Sequence, residues 1–211
     1  EHVKKVYNHV KSNRNKSEYS KRRCDYAEYY KKCKVKNIVL YEAFAARGML
    51  CSPYALFKEF MNRSDFDKYE HVWAIYDMED NEYIINKYKN VSNVRFVEFN
   101  SNEYLKALAE AKYIINNSTF PGFVTKKDEQ IYINTWHGIP LKTLGYDLPD
   151  ANIAVANTMR NFLSADYLIS PNKFHSDIYL KAYKLDGLYE GTIIEEGQPR
   201  SDMIYHADRD E

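Results

Sequence analysis

From residue 37 onward, short apolar runs alternate with longer segments in which apolar residues recur every three or four positions. Residues 37–41, 72–76, 94–99, 112–116, 131–135, 167–169 and 192–194 are compact runs rich in Val, Ile, Tyr and Trp. Their length and β-branched content predict strands. Between them, residues 52–63, 77–88, 101–111, 151–163 and 172–183 carry helical spacing. Ser52 with Pro53 at the first turn, and Ser101, are the expected helix starts. Continuous apolar strands separated by single helices predict an α/β, Rossmann-like domain over residues 37–205, its sheet mainly parallel and covered on both faces.

Residues 1–36 follow another pattern. Aliphatic side chains are scarce, although Val3, Val6, Tyr7 and Val10, and again Tyr26, Tyr29, Tyr30 and Cys33, have helical spacing. This stretch holds 12 Lys and Arg against 4 Asp and Glu, whereas the remainder holds 18 against 26. A neutral chain therefore divides into a basic helical arm and an acidic body. Such an arm is either a solvated linker or a contact for something anionic: lipid, nucleic acid or an acidic polymer. Three cysteines, Cys24, Cys33 and Cys51, lack metal-ligand or Cys-x-x-Cys spacing and fit a reducing compartment. There is no run of 18 apolar residues and no signal-peptide pattern. The chain starts with Glu, and residues 206–211 are expected to begin a connection to a further domain.

Candidate chemistry gathers where strands end, which is where α/β folds bind ligands. The fifth strand runs into Trp136-His137-Gly138-Ile139-Pro140-Leu141-Lys142-Thr143-Leu144-Gly145-Tyr146-Asp147. Gly138 and Pro140 break both strand and helix there, leaving a base, a cation and a carboxylate within eleven residues. The loop after the first strand carries Arg47-Gly48 ahead of a helix N-terminus, a place suited to an anion. Residues 116–121, Asn-Asn-Ser-Thr-Phe-Pro, read first as turn formers and second as groups able to orient polyol hydroxyls. Asp77-Met78-Glu79-Asp80 reads as helix-start acids, not as a metal site.

The residue 136–147 stretch resembles the signature of the CDP-glycerol glycerophosphotransferase family, the teichoic acid primases and polymerases. Ile139 departs from it, standing where a hydroxyl residue is common. Ser170-Pro171-Asn172-Lys173-Phe174 and Gly197-Gln198-Pro199-Arg200-Ser201-Asp202 are further matches, and the first loop is similar to the family's own. The resemblance implies the N-terminal, acceptor-side half of a GT-B fold, with most nucleotide contacts in a second domain. It implies transfer of glycerol phosphate from CDP-glycerol to a hydroxyl of a lipid-linked acceptor or growing polymer, releasing CMP, with no metal and no cofactor. His137 is then the expected base, with Asp147 orienting it or capping the next helix. Lys142, Arg47, Gly138, Asn172, Lys173 and Arg200 are the expected substrate or phosphate contacts. The anionic partners become a cytoplasmic membrane face and the acceptor polymer, with no nucleic acid, and the half alone is expected to be inactive. A ribitol-phosphate or sugar-phosphate transferase and a non-catalytic polymer- or lipid-binding module are the competing readings.

Overall fold

The apolar runs form seven strands, each hydrogen-bonded side by side and all parallel. The computed structural model describes residues 18–150 and 153–205. In chain order these hold α1 (Glu18–Lys32), β1 (Lys36–Glu42), α2 (Cys51–Met61), β2 (Glu70–Ile75), α3 (Glu82–Tyr88), β3 (Val94–Glu98) and α4 (Asn102–Glu110). Then follow β4 (Ala111–Asn116), β5 (Ile131–Asn134), α5 (Ile153–Ser164), β6 (Tyr167–Ile169), α6 (Lys173–Ala182), β7 (Thr192–Ile194) and α7 (Pro199–Tyr205). The sheet order is β3-β2-β1-β4-β5-β6-β7. The chain moves outward from β1 to β3, then returns to β1's other side to lay down β4. That reversal opens a crevice at the carboxyl ends of β1 and β4, the place where doubly wound folds bind ligands.

Strand alternation sends side chains to two cores. Ile38 and Leu40 of β1 join Tyr104, Leu105, Leu108, Ile114, Phe162 and Tyr179 on one face. Val39 and Tyr41 join Phe57, Trp73, Ile75 and Ile115 on the other. Burial on both faces is why these strands read as continuous apolar runs.

The second half of the basic arm is docked on this body. α1 packs against α4, Tyr26 is buried within the first core, and its hydroxyl donates to the Thr125 carbonyl at 2.6 Å. The spacing at Val3, Val6, Tyr7 and Val10 lies outside the described residues.

Three boundaries differ from expectation. Ser52 does not cap α2, which starts one residue earlier, after Leu50, without a side-chain cap; the Ser52 hydroxyl instead accepts from the Arg200 amide at 3.4 Å. Residues 77–81 are a turn, not the first turn of a helix, because the Asp77 carboxylate accepts from the amides of Glu79 and Asp80 at 3.0 and 3.1 Å. Ser101 does cap α4, accepting from the Tyr104 amide. The segment 199–205, for which the sequence pattern predicts no helix, is the helix α7, which packs back on α2.

Candidate active site

The last residues of β1, β4 and β5 lie in register: Glu42 beside Asn116, and Asn116 beside Asn134. All three are buried polar groups at the carboxyl edge of an apolar sheet. The Asn134 amide nitrogen donates to the Ser118 carbonyl at 2.9 Å and to the Tyr132 hydroxyl at 2.8 Å, while its side-chain oxygen accepts from the Trp136 amide at 2.8 Å. That last bond folds the chain back over the strand end, and Trp136 adopts a left-handed φ of 47°. The indole then wedges between Phe162, Tyr179 and Tyr183. Stacked on it at 4.1 Å lies the ring of His137.

His137 is held on every side but one. Its Nδ1 lies 2.6 Å from the Asn117 carbonyl oxygen. A carbonyl only accepts, so Nδ1 carries a proton, and the tautomer this selects has its lone pair on Nε2. Nε2 makes no hydrogen bond among the described residues. The Phe44 ring faces the imidazole from the β1 loop at 5.8 Å. The His137 carbonyl accepts from Arg200 Nη1 at 2.9 Å. A half-exposed imidazole with a fixed tautomer and an open Nε2 is equipped to take a proton from a hydroxyl.

The β1 loop is shaped by the same residue that orients His137. Phe44, Ala45 and Ala46 are all left-handed, with φ of 50°, 56° and 64°, and the Phe44 amide donates to Asn117 Oδ1 at 2.8 Å. Arg47 follows, exposed, its carbonyl accepting from Asn81 at 3.1 Å. Its guanidinium makes no hydrogen bond among the described residues. Arg200 Nη1 also reaches Cys51 Sγ at 3.6 Å, so the segment after β7, the start of α2 and the His137-Gly138 turn meet at one guanidinium. Gly138 lies against it, since a Cβ there would sit 3.7 Å from Arg200 Nη2.

The other expected residues divide. Lys142 is exposed on the segment beyond Gly138, without a hydrogen bond or ion pair among the described residues. Asp147 is exposed on a 3₁₀ turn, Gly145–Asp147; its carboxylate makes no hydrogen bond to His137, whose Nδ1 partner is Asn117. Asn172 is the N-cap of α6, accepting from the His175 amide at 3.0 Å. Lys173 pairs with Asp177 one turn on at 2.9 Å, and that contact raises its pKa. Among the described residues no group of three His, Cys, Asp or Glu side chains is placed to hold a metal ion.

Two residues near the site were not singled out from sequence. Asn117 was read as one of several turn formers, and its role depends on partners 73 and 20 positions away. His175 is fully buried against Tyr179, with ring centroids 4.2 Å apart, and neither ring nitrogen has a hydrogen-bond partner among the described residues. Burial lowers its pKa, partly opposed by the Gly138 backbone beside it. Glu42, also buried, accepts from the Tyr104 hydroxyl at 2.5 Å and is pushed up to about 7 by desolvation.

Comparison with known proteins gives consistent matches. Residues 17–211 match the family model described as CDP-glycerol:poly(glycerophosphate) glycerophosphotransferase. The chain is 31% identical over 183 residues to a teichoic acid poly(glycerol phosphate) polymerase of Bacillus spizizenii, covering 83% of this chain and 44% of the relative. It is 28% identical to a teichoic acid glycerol-phosphate transferase of Staphylococcus aureus, again covering 83% of this chain and 44% of the relative. Among solved structures, the wall teichoic acid polymerase TagF superposes with a TM-score of 0.73 at 27% identity, covering 99% of this chain and 49% of that one. A TagF variant soaked with CDPG superposes with a TM-score of 0.74 at 28% identity, covering 96% and 48%. The chain thus spans about half of those structures, and less than half of the curated relatives. The all-parallel α/β fold corresponds to the N-terminal half of their GT-B-like architecture.

Proposed function

Because the chain belongs to the CDP-glycerol:poly(glycerophosphate) glycerophosphotransferase family, we propose that it is the acceptor-side half of an enzyme that extends a teichoic acid-type polymer. The donor is CDP-glycerol. The acceptor is a hydroxyl on a lipid-linked or polymeric polyol phosphate. The acceptor oxygen attacks the phosphorus that bears glycerol, the bond from that phosphorus to the CMP oxygen breaks, and His137 Nε2 takes the hydroxyl proton.

The observation that carries this reading is the 2.6 Å contact between His137 Nδ1 and the Asn117 carbonyl, which leaves the opposite nitrogen as an acceptor on an open edge. Phosphoryl transfer depends mainly on positioning and charge compensation, and the exposed side chains of Arg47 and Lys142, which have no hydrogen bond or ion pair among the described residues, are the cations assigned to it. Arg200 has a second role, fixing the His137 carbonyl while Nη2 lies toward Gly138. Asn172 and Lys173 serve α6 as its cap and an ion pair. The enzyme works at the cytoplasmic face of a membrane as a peripheral protein. No helix among the described residues is long and apolar enough to cross a bilayer, and the basic arm offers an anionic surface a docking point.

The test is His137→Ala in the full-length enzyme. Removing a positioned base costs about 10²–10⁴-fold in rate, so kcat should fall by that range while CDP-glycerol binding and melting temperature hold. A variant that melts normally and transfers glycerol phosphate at the wild-type rate refutes the assignment.

A further inference from the structure

We propose that Asn117 is the positioning residue of the proton-transfer step, coupling the geometry of the β1 loop to the orientation of the base; this rests on the reading of His137 as that base. Three observations point to it. The Asn117 main-chain oxygen fixes His137 Nδ1 at 2.6 Å. Its side-chain oxygen holds the Phe44 amide at 2.8 Å. The Phe44 ring in turn lies tilted against His137, 5.8 Å away. One fully buried residue therefore closes a ring of contacts: Asn117 to His137, His137 to Phe44, and Phe44 back to Asn117.

The ring of contacts has a mechanical consequence. Phe44 begins three successive left-handed residues, a conformation that L-residues leave when nothing holds them. Without the carboxamide oxygen, the Phe44 amide has no other described partner, and the loop relaxes toward extended backbone. The Phe44 ring then leaves His137, and the Asn117 peptide loses the anchor that aims its carbonyl at Nδ1. A histidine freed in this way populates the other tautomer, with the proton on the nitrogen that must receive one. Substrate affinity through other parts of the enzyme is untouched, so the cost falls on kcat.

Asn117→Ala and Asn117→Asp in the full-length enzyme separate this role from a structural one. Ala removes the acceptor for the Phe44 amide. Asp keeps an oxygen there and adds a titratable carboxyl in the residue that already touches His137. For Ala the expected result is a fall in kcat of about 10-fold or more, within the range a misplaced base produces, with KM for CDP-glycerol changed less than about threefold and the melting temperature nearly kept. Asp should recover most of the turnover at high pH, with the acidic limb of the kcat/KM profile moved upward, because a nearby anion favours the imidazolium. An Ala variant with wild-type kcat, or an Asp variant as slow as Ala with an unmoved acidic limb, overturns the proposal. Should Ala fail to fold, the Asp profile alone decides, on the same criterion. His137→Ala run alongside distinguishes the two failures: if it retains turnover, the base reading falls, and if it is inactive while Asn117→Ala is fully active, only the positioning role falls.

Discussion

Replacing Glu42 by glutamine tests how the sheet edge tolerates a buried acid. Glu42 ends β1 fully buried, with one carboxylate oxygen on the Tyr104 hydroxyl at 2.5 Å and the other without a partner among the described residues. No cation is among the causes of its shift; desolvation, only partly opposed by Tyr104, raises its pKa from 4.5 to about 7. The sign follows from the two states. Below about pH 4.5 both folded and unfolded chains hold the proton, and the group does not alter stability. Between 4.5 and 7 the unfolded chain releases it while the folded chain keeps it, so stability falls as pH rises, and above 7 the loss is complete. At 1.36 kcal/mol per pH unit, the loss is about 3 kcal/mol. Glutamine keeps the acceptor for Tyr104 and cannot ionise. Urea denaturation of wild type and Glu42→Gln at pH 4 and pH 8 should therefore show the variant gaining about 3 kcal/mol relative to wild type between the two pH values. An identical difference at both pH values would refute the reasoning, since it would mean that Glu42 ionises as easily folded as unfolded.

Gly145 supplies a second stability test. Its φ is +60°, and a Cβ would lie 2.2 Å from the Ala182 carbonyl oxygen, so Gly145→Ala should cost more than the roughly 1–2 kcal/mol of the left-handed backbone alone. Gly187→Ala, at φ +70° with open space around it, is the control; equal denaturation midpoints for the two variants would show that the Ala182 contact is not tight. The basic arm makes a prediction about membranes. Because the one buried residue of α1, Tyr26, faces the core, attraction to a bilayer should be electrostatic, at about 1 kcal/mol per basic residue. Exchanging Lys4, Lys5, Lys11, Arg14 and Lys16 for Gln should abolish co-sedimentation with anionic vesicles, and binding by wild type that is indifferent to salt would contradict it.

The fold was legible because the central strands β1 and β2 are buried on both faces, which turns a parallel sheet into apolar runs visible one by one. His137 was legible for a related reason: the turn residues beside it, Gly138 and Pro140, are its neighbours in sequence. What escaped depends on distance along the chain or on main-chain groups that carry no sequence signal. Asn117 orients His137 through its carbonyl, which any residue at that position would also have. Ser52 stands where a cap is expected, but the chain enters α2 through Cys51 at a φ of 60°, so the hydroxyl lies one residue inside and meets Arg200. Asp147 is near His137 in sequence, and the 3₁₀ turn carries it to an exposed place. The family resemblance makes Arg200 a phosphate contact, yet one of its nitrogens is committed to the His137 carbonyl 63 residues back.

Backbone strain gives an independent reason to place the chemistry at this edge. Seven non-glycine residues have positive φ among those described, and five of them lie around His137: Phe44, Ala45 and Ala46 in the β1 loop, Cys51 at the start of α2, and Trp136 next in sequence. At about 1–3 kcal/mol each, these loops hold a strain of order 5 kcal/mol or more, comparable to the whole stability of a small domain. Ordinary connections would relax. These are held by Asn117 on the Phe44 amide, Asn134 on the Trp136 amide, Arg200 on the His137 carbonyl and the aromatic wedge around Trp136. Each restraint acts on a residue in contact with His137 or on His137 itself. These restraints converge on the attitude of a single imidazole, and for the base proposed above a fixed attitude is what positioning-dependent catalysis requires.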